Sequence, residues 1–350
     1  MTRLKVAVIG CGHLGTIHAR LLAARTDAEL VAVVDPVPES RQRVAEAHGC
    51  RALAEPQELV GLADAVVVAA PTCLHAAVSL PLLSQGLDLL IEKPIAADVD
   101  EAQQIAAAAE RHGRIVAVGH VERFNPAWKM AVEQCGRGRI LAIESARLAP
   151  FTFRSLDVGV VLDLMIHDID LVLSLDPGKL THVDAQGIVA TGGHEDAVRA
   201  RLAFSSGLIA DLSASRIHPT LSRRVSLWGT QGIVAVDFNA KTVEVVAPSL
   251  AVQHGTFIAA AVPPADRVAL KDKFFTDILP RETLAVPEAN AIACEHDNFL
   301  AAVRSRRPAL VPAAAGAAAL EIAMRVLDGL VCTRLGSEEP AVSAPSRVAA

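Results

Sequence analysis

Val6-Ala7-Val8-Ile9-Gly10-Cys11-Gly12-His13-Leu14-Gly15 decides the fold. An unbroken apolar run of this kind predicts a strand buried on both faces. It stops at a G-x-G-x-x-G turn, and Leu14, Ile17, Leu21 and Leu22 then recur at helical spacing. Strand, glycine turn and helix form the context in which such a motif cradles a pyrophosphate. Gly10 permits the tight turn, Gly12 lets the phosphates approach the backbone, and Gly15 lets helix and strand pack closely. The helix N-terminus adds free N–H groups and the positive end of a dipole, so His13 and Leu14 are candidate contacts too.

A second apolar run, Leu30 to Val34, ends in Asp35, 20 residues after Gly15. A carboxylate there binds the adenosine ribose hydroxyls and disfavours a 2′-phosphate. The expected cofactor is therefore NAD, although Arg41 and Arg43 keep NADP in view. Ala65–Ala70 and Leu87–Ile91 read as further buried strands, with a helix over Val99–Arg111 and a strand over Ile115–Gly119. This alternation predicts a doubly wound parallel sheet of the Rossmann kind. Ligands bind at the C-terminal ends of such strands. That rule makes Thr72, His75, Glu92 and Lys93 candidates for cofactor contact, and Lys93 for catalysis.

The texture changes after the run Gly119-His120-Val121-Glu122-Arg123-Phe124-Asn125-Pro126. Seven strands are expected between Ile140 and Val246, with helices returning at Glu288–Arg304 and Ala313–Val331. The expected organisation is a dinucleotide-binding domain over 1–121 and an α+β domain over 122–335, with an open, mostly antiparallel sheet. Residues 252–273 carry little periodicity and read as a mobile loop, and 336–350 as a disordered tail. One helix interrupts the strands, from Val160 to Leu173, and places Asp163 and His167 four apart on one face. An acid and a histidine in so apolar a segment are costly without a role.

Bulk properties exclude several classes. The chain has 350 residues, 52% of them hydrophobic and 21% charged, so a globular protein is expected. A formal charge of −6 and scattered cations give no case for nucleic acid. No apolar stretch reaches the roughly 18 residues of a membrane span, and the first strand begins at once, so no leader and a cytoplasmic location are expected. Six cysteines without a C-x-x-C predict free thiols and no metal site. Tyrosine is absent, so acid–base chemistry falls to other groups.

Gly10-x-Gly12-x-x-Gly15, Glu92-Lys93-Pro94 and Asp163-x-x-x-His167, in that order, resemble the glucose–fructose oxidoreductase / inositol dehydrogenase family. The resemblance covers nearly the whole chain. It implies that Lys93, Asp163 and His167 surround the reacting sugar carbon, and that the open sheet builds a homo-oligomer, a dimer or tetramer. Within the family, Gly119–Pro126 and Asp163–Asp170 are similar to the branch that oxidises UDP-N-acetylglucosamine at C3. A Gly-Gly-Gly run common before the Asp-x-x-x-His motif is replaced here by Asp157-Val158-Gly159. A UDP-sugar brings a diphosphate, which makes Arg123, Arg147 and Arg154, with Asn125, candidate substrate contacts. The resemblance further implies a pyridoxal-phosphate aminotransferase as pathway partner, feeding a lipid A-type glycolipid. Dehydrogenation of a free sugar, inositol or other polyol is the alternative. A non-catalytic NAD-binding regulator is a second, and a redox-assisted glycosidase a minor third. A regulator has no need of Lys93, Asp163 and His167 together.

Overall fold

The computed structural model describes residues 3–136, 138–153, 158–337 and 340–341. The first half lays down β1 (Leu4–Ile9), α1 (His13–Ala23), β2 (Ala28–Val34), α2 (Pro38–His48) and β3 (Arg51–Leu53). It continues with β4 (Ala65–Val68), α3 (His75–Ser84), β5 (Asp88–Ile91), α4 (Val99–Arg111) and β6 (Val116–Val118). Their sheet is wholly parallel, in the order β3-β2-β1-β4-β5-β6. The order reverses between β1 and β4, and a crevice opens there beyond the strand ends.

A parallel sheet needs cover on both faces. Alternate residues of β1, such as Val6 and Val8, pack with α1 and α2, whereas Ala7 and Ile9 belong to the core shared with α3 and α4. The remaining cover comes from the far end of the chain. Helix α9 (Ala291–Ser305) brings Phe299, Leu300 and Val303 into the first of these cores. Helix α10 (Ala313–Asp328) lies on the other, where Gly316 is pressed against Val118. Helices α9 and α10, which the sequence reading placed within 122–335, thus pack on the first sheet.

The second sheet begins after α5 (Pro126–Cys135) with β7 (Ile140–Leu148). It follows α6 (Ile166–Leu173) with β8 (Leu180–Val189), β9 (Ala197–Phe204), β10 (Ile209–Ser215), β11 (Ser222–Gly229), β12 (Gly232–Asp237) and β13 (Thr242–Val246). After the short helices α7 (Leu250–Gln253) and α8 (Arg267–Asp272) come β14 (Arg281–Ala285), β15 (Leu330–Arg334) and β16 (Pro340–Ala341). The order is β14-β13-β12-β11-β7-β10-β9-β8-β15-β16, antiparallel except for the β7–β10 and β8–β15 pairs. The inner face buries Ile143, Ala200, Leu212 and Leu227. The outer face leaves Glu144, Gln186, Arg199, Arg201 and Arg224 exposed.

Three expectations are adjusted. The helix expected to reach Val331 stops at Gly329, and Leu330–Arg334 turns into a strand beside β8. Residues 252–273, expected as a loop, carry short helical turns. Of the tail expected to be disordered, Pro340 and Ala341 pair with Thr333 and Cys332, while 338–339 and 342–350 lie outside the described residues. Among the described residues no helix is long and apolar enough to cross a membrane.

Candidate active site

The cofactor end is shaped by glycine. Gly10 sits at φ +93° and accepts no Cβ, because one would strike the Ala69 carbonyl. At Gly15 a Cβ would strike the Gly10 carbonyl, so the turn closes only with glycine at both positions. Gly12, the N-cap of α1, instead faces open space where its Cβ would be. That is the room a pyrophosphate needs against the first free amides of a helix. His13 and Leu14 follow, both exposed.

Asp35 directly follows β2 and stitches the turn together. Its Oδ2 accepts from the Cys11 N–H at 2.7 Å and its Oδ1 from Val37 N–H at 2.9 Å. Arg43 donates to the Cys11 carbonyl at 3.2 Å, and Arg41 to the carbonyls of Asp35 and Pro36 at 3.1 and 3.0 Å. Burial, then Asp35, push the Cys11 thiol up to about 11, so no thiolate forms beside the phosphates. Asp35→Ala removes two hydrogen bonds to a charged group, each worth about 1.5–3 kcal/mol. NAD affinity is expected to fall at least roughly tenfold, and the preference over NADP to narrow, in fluorescence titrations. Wild-type protein that binds NADP more tightly than NAD contradicts this role.

At the reacting end, Leu14, Thr72, His75, Glu92, Lys93 and Asp163 line one crevice. His75 is buried and sets its ring nitrogens 2.9 Å from the carbonyls of Ala70 and Pro94. Burial holds this imidazole below its usual range despite those carbonyls, so a single N–H serves them. It braces the crevice wall. Glu92 gives its carboxylate to His18 at 2.8 Å and to the Lys93 N–H at 3.2 Å. Lys93 Nζ donates to the Asp163 carbonyl at 2.8 Å and to Asp163 Oδ1 at 3.3 Å.

The helix carrying Asp163 differs from expectation. Val161–Met165 is a π-helical turn that passes into α6. Its entry is tied to Glu195, whose carboxylate accepts from Val161 N–H and whose carbonyl accepts from Val160 N–H, each at 3.1 Å. A Cβ on Gly159 would overlap that carboxylate, so the close approach requires glycine there. Turns of this type recur at functional sites. Among the described residues the Asp163 side chain hydrogen-bonds Lys93 and not His167.

His167 meets the edge of His120, ring centroids 6.4 Å apart and nearly perpendicular. Its Nδ1 is buried and has no partner among the described residues, as have both ring nitrogens of His120. Burial first, then the positive charges of Lys93 and Arg147, hold His167 well below its ordinary value near 6.5. Burial likewise lowers His120. A neutral, acceptor-capable imidazole therefore lies within electrostatic reach of the Lys93 ammonium. The sequence reading passed over His120, although it lies in a segment already singled out.

The expected substrate contacts fare differently. Arg147 is buried and fully engaged, to Asp168 at 2.8 and 3.2 Å and to Glu122 at 3.0 Å. It is held as a buried ion-pair residue, where the sequence reading expected a diphosphate contact. Asn125 caps α5 through Ala127 N–H at 3.0 Å and donates to Glu122 at 3.1 Å. Arg123 commits its Nε to Asp170 at 2.8 Å. Arg154 lies outside the described residues. Arg223, missed in the sequence, pairs with Glu122 and keeps 40% of its side chain exposed.

Residues 4–120 match the oxidoreductase family with an NAD-binding Rossmann fold, and 129–235 match the GFO/IDH/MocA C-terminal domain. The UDP-N-acetylglucosamine 3-dehydrogenase of Acidithiobacillus ferrooxidans is 32% identical over 326 residues, covering 93% of this chain and 97% of that protein. Its solved structure is similar with a TM-score of 0.82 and 31% identity, over 94% of this chain and 98% of its own. The scyllo-inositol 2-dehydrogenase (NAD(+)) of Bacillus subtilis is 26% identical over 328 residues, 88% of this chain and 89% of that protein. With both halves matched and the glycine cradle intact, the chain belongs to the GFO/IDH/MocA family of NAD-binding oxidoreductases.

Proposed function

We propose that this enzyme oxidises the C3 hydroxyl of UDP-N-acetylglucosamine to the 3-keto sugar. The observation that carries the chemistry is Asp163 holding the Lys93 ammonium in the crevice near a neutral His167. His167, neutral at working pH, takes the hydroxyl proton. Lys93 donates to the same oxygen and steadies the negative charge that develops there. Asp163 positions Lys93. Gly10, Gly12, Gly15, Asp35 and Thr72 hold NAD, which supplies the hydride acceptor when bound.

The choice of substrate rests on the likeness to the Acidithiobacillus enzyme, which exceeds that to the inositol dehydrogenase in identity and coverage. Arg223, which keeps 40% of its side chain exposed, and Arg123 are candidates to meet the diphosphate. Oxidation of a secondary alcohol by NAD is uphill near neutral pH, so a consuming step is required. A pyridoxal-phosphate aminotransferase that installs a 3-amino group fits, on a cytoplasmic route to a lipid A-type glycolipid. Copies of the chain meet through the outer face of the second sheet, where Ile188 and Val331 stand 38% and 62% exposed.

The test couples the protein to such an aminotransferase with glutamate and reads the 3-amino UDP-sugar by mass spectrometry. Product is expected from UDP-N-acetylglucosamine and not from free N-acetylglucosamine. Faster NAD reduction with an inositol or free hexose than with any UDP-sugar transfers the assignment to a polyol dehydrogenase.

A further inference from the structure

Behind the Glu92-Lys93-Pro94 turn, four titratable side chains meet in the interior. His18 comes from α1, Glu92 follows β5, and Glu295 and His296 come from α9. Their exposures are 0%, 9%, 2% and 1%. His18 lies 2.8 Å from Glu92 Oε1 through Nε2, and 2.8 Å from His296 Nε2 through Nδ1. Both oxygens of Glu295 are buried and have no hydrogen-bond partner among the described residues. Even so, one ligand atom each from His18, Glu92 and Glu295 all fall within 4.8 Å of one another.

Two carboxylates in one dry pocket repel, and the desolvation of each costs several kcal/mol unless it is offset. Glu92 has only His18 as a salt-bridge partner among the described residues, and Glu295 has none. A positive charge between them offsets the repulsion.

We propose that His18, Glu92 and Glu295 form a binding site for one divalent first-row transition ion, of the zinc or manganese class. Imidazole with two carboxylates suits such ions better than magnesium or calcium. Ligand atoms about 2.0–2.2 Å from one ion lie roughly 3–4.4 Å apart, so the three groups need only small shifts. The surroundings are those of an oriented ligand set. His18 turns its other nitrogen to His296, and the Lys93 N–H fixes the second oxygen of Glu92. The expectation of no metal came from the cysteines, and this site uses none. An ion here ties α9 to α1 and to the turn that carries Lys93.

The full chain, stripped with a chelator, is titrated with zinc or manganese. It is then gel-filtered for metal analysis and followed by thermal unfolding. One retained equivalent and a melting temperature that rises with metal concentration are expected. His18→Gln and Glu295→Gln should each cut retention at least tenfold while still binding NAD, which shows that they fold. X-ray absorption of the wild-type zinc form decides without variants: nitrogen and oxygen neighbours support the site, and a sulfur neighbour overturns it. Wild-type protein that retains no more metal than Glu295→Gln, or whose melting ignores metal, also overturns it. A proton then holds the two carboxylates.

Discussion

His167→Ala is expected to lower kcat by roughly a hundredfold to ten-thousandfold, the range for removal of an acid–base group, with NAD affinity little changed. Lys93→Ala should fall in the same range through loss of charge stabilisation at the oxygen. The pH dependence separates a base from a binding group. Burial and the nearby cations hold His167 well below 6.5 in the folded protein. The active form is the neutral one, so activity is lost as pH falls through the folded-state value. With NAD saturating, kcat/KM should therefore stay level through pH 6.5 and decline only at lower pH. A midpoint at or above 6.5, or near-normal turnover in both variants, contradicts the mechanism.

Arg147→Ala is expected to destabilise the fold by about 3–5 kcal/mol, the usual consequence of leaving buried charges unpaired. Its side chain is 7% exposed, and those of its partners Asp168 and Glu122 are 2% and 3% exposed. Burial, and the two carboxylates that overcome it, leave the guanidinium firmly charged. Urea unfolding measures the loss. Unchanged stability with a tenfold rise in KM for the UDP-sugar would restore Arg147 as a substrate ligand.

The parallel half was legible because strands buried on both faces appear as continuous apolar runs. The glycine turn was legible because backbone contacts at Gly10 and Gly15 allow no other residue. Lys93 and Asp163 were legible from strand-end position and helical spacing, and the structure brings them together across 70 residues. What stayed hidden depends on distant partners. The fate of Arg147 is set by Glu122 and Asp168, which no local pattern links to it. The π-helical turn follows from Glu195, 34 residues beyond Val161. His18 lies in a segment read only for its apolar stripe, and His296 is 278 residues away. Leu330–Val331 continues a helical pattern, and only the proximity of β8 makes it a strand.

On the proposed function, hydride leaves C3 of a UDP-N-acetylhexosamine and reaches NAD in this crevice. Incubating the enzyme with NAD and UDP-N-acetylglucosamine deuterated at C3, with the coupled aminotransferase drawing off product, tests it directly. Reduced cofactor one mass unit heavier is expected, and its loss in His167→Ala. Unlabelled reduced cofactor, or none, from this substrate while a polyol labels it fully would contradict the account.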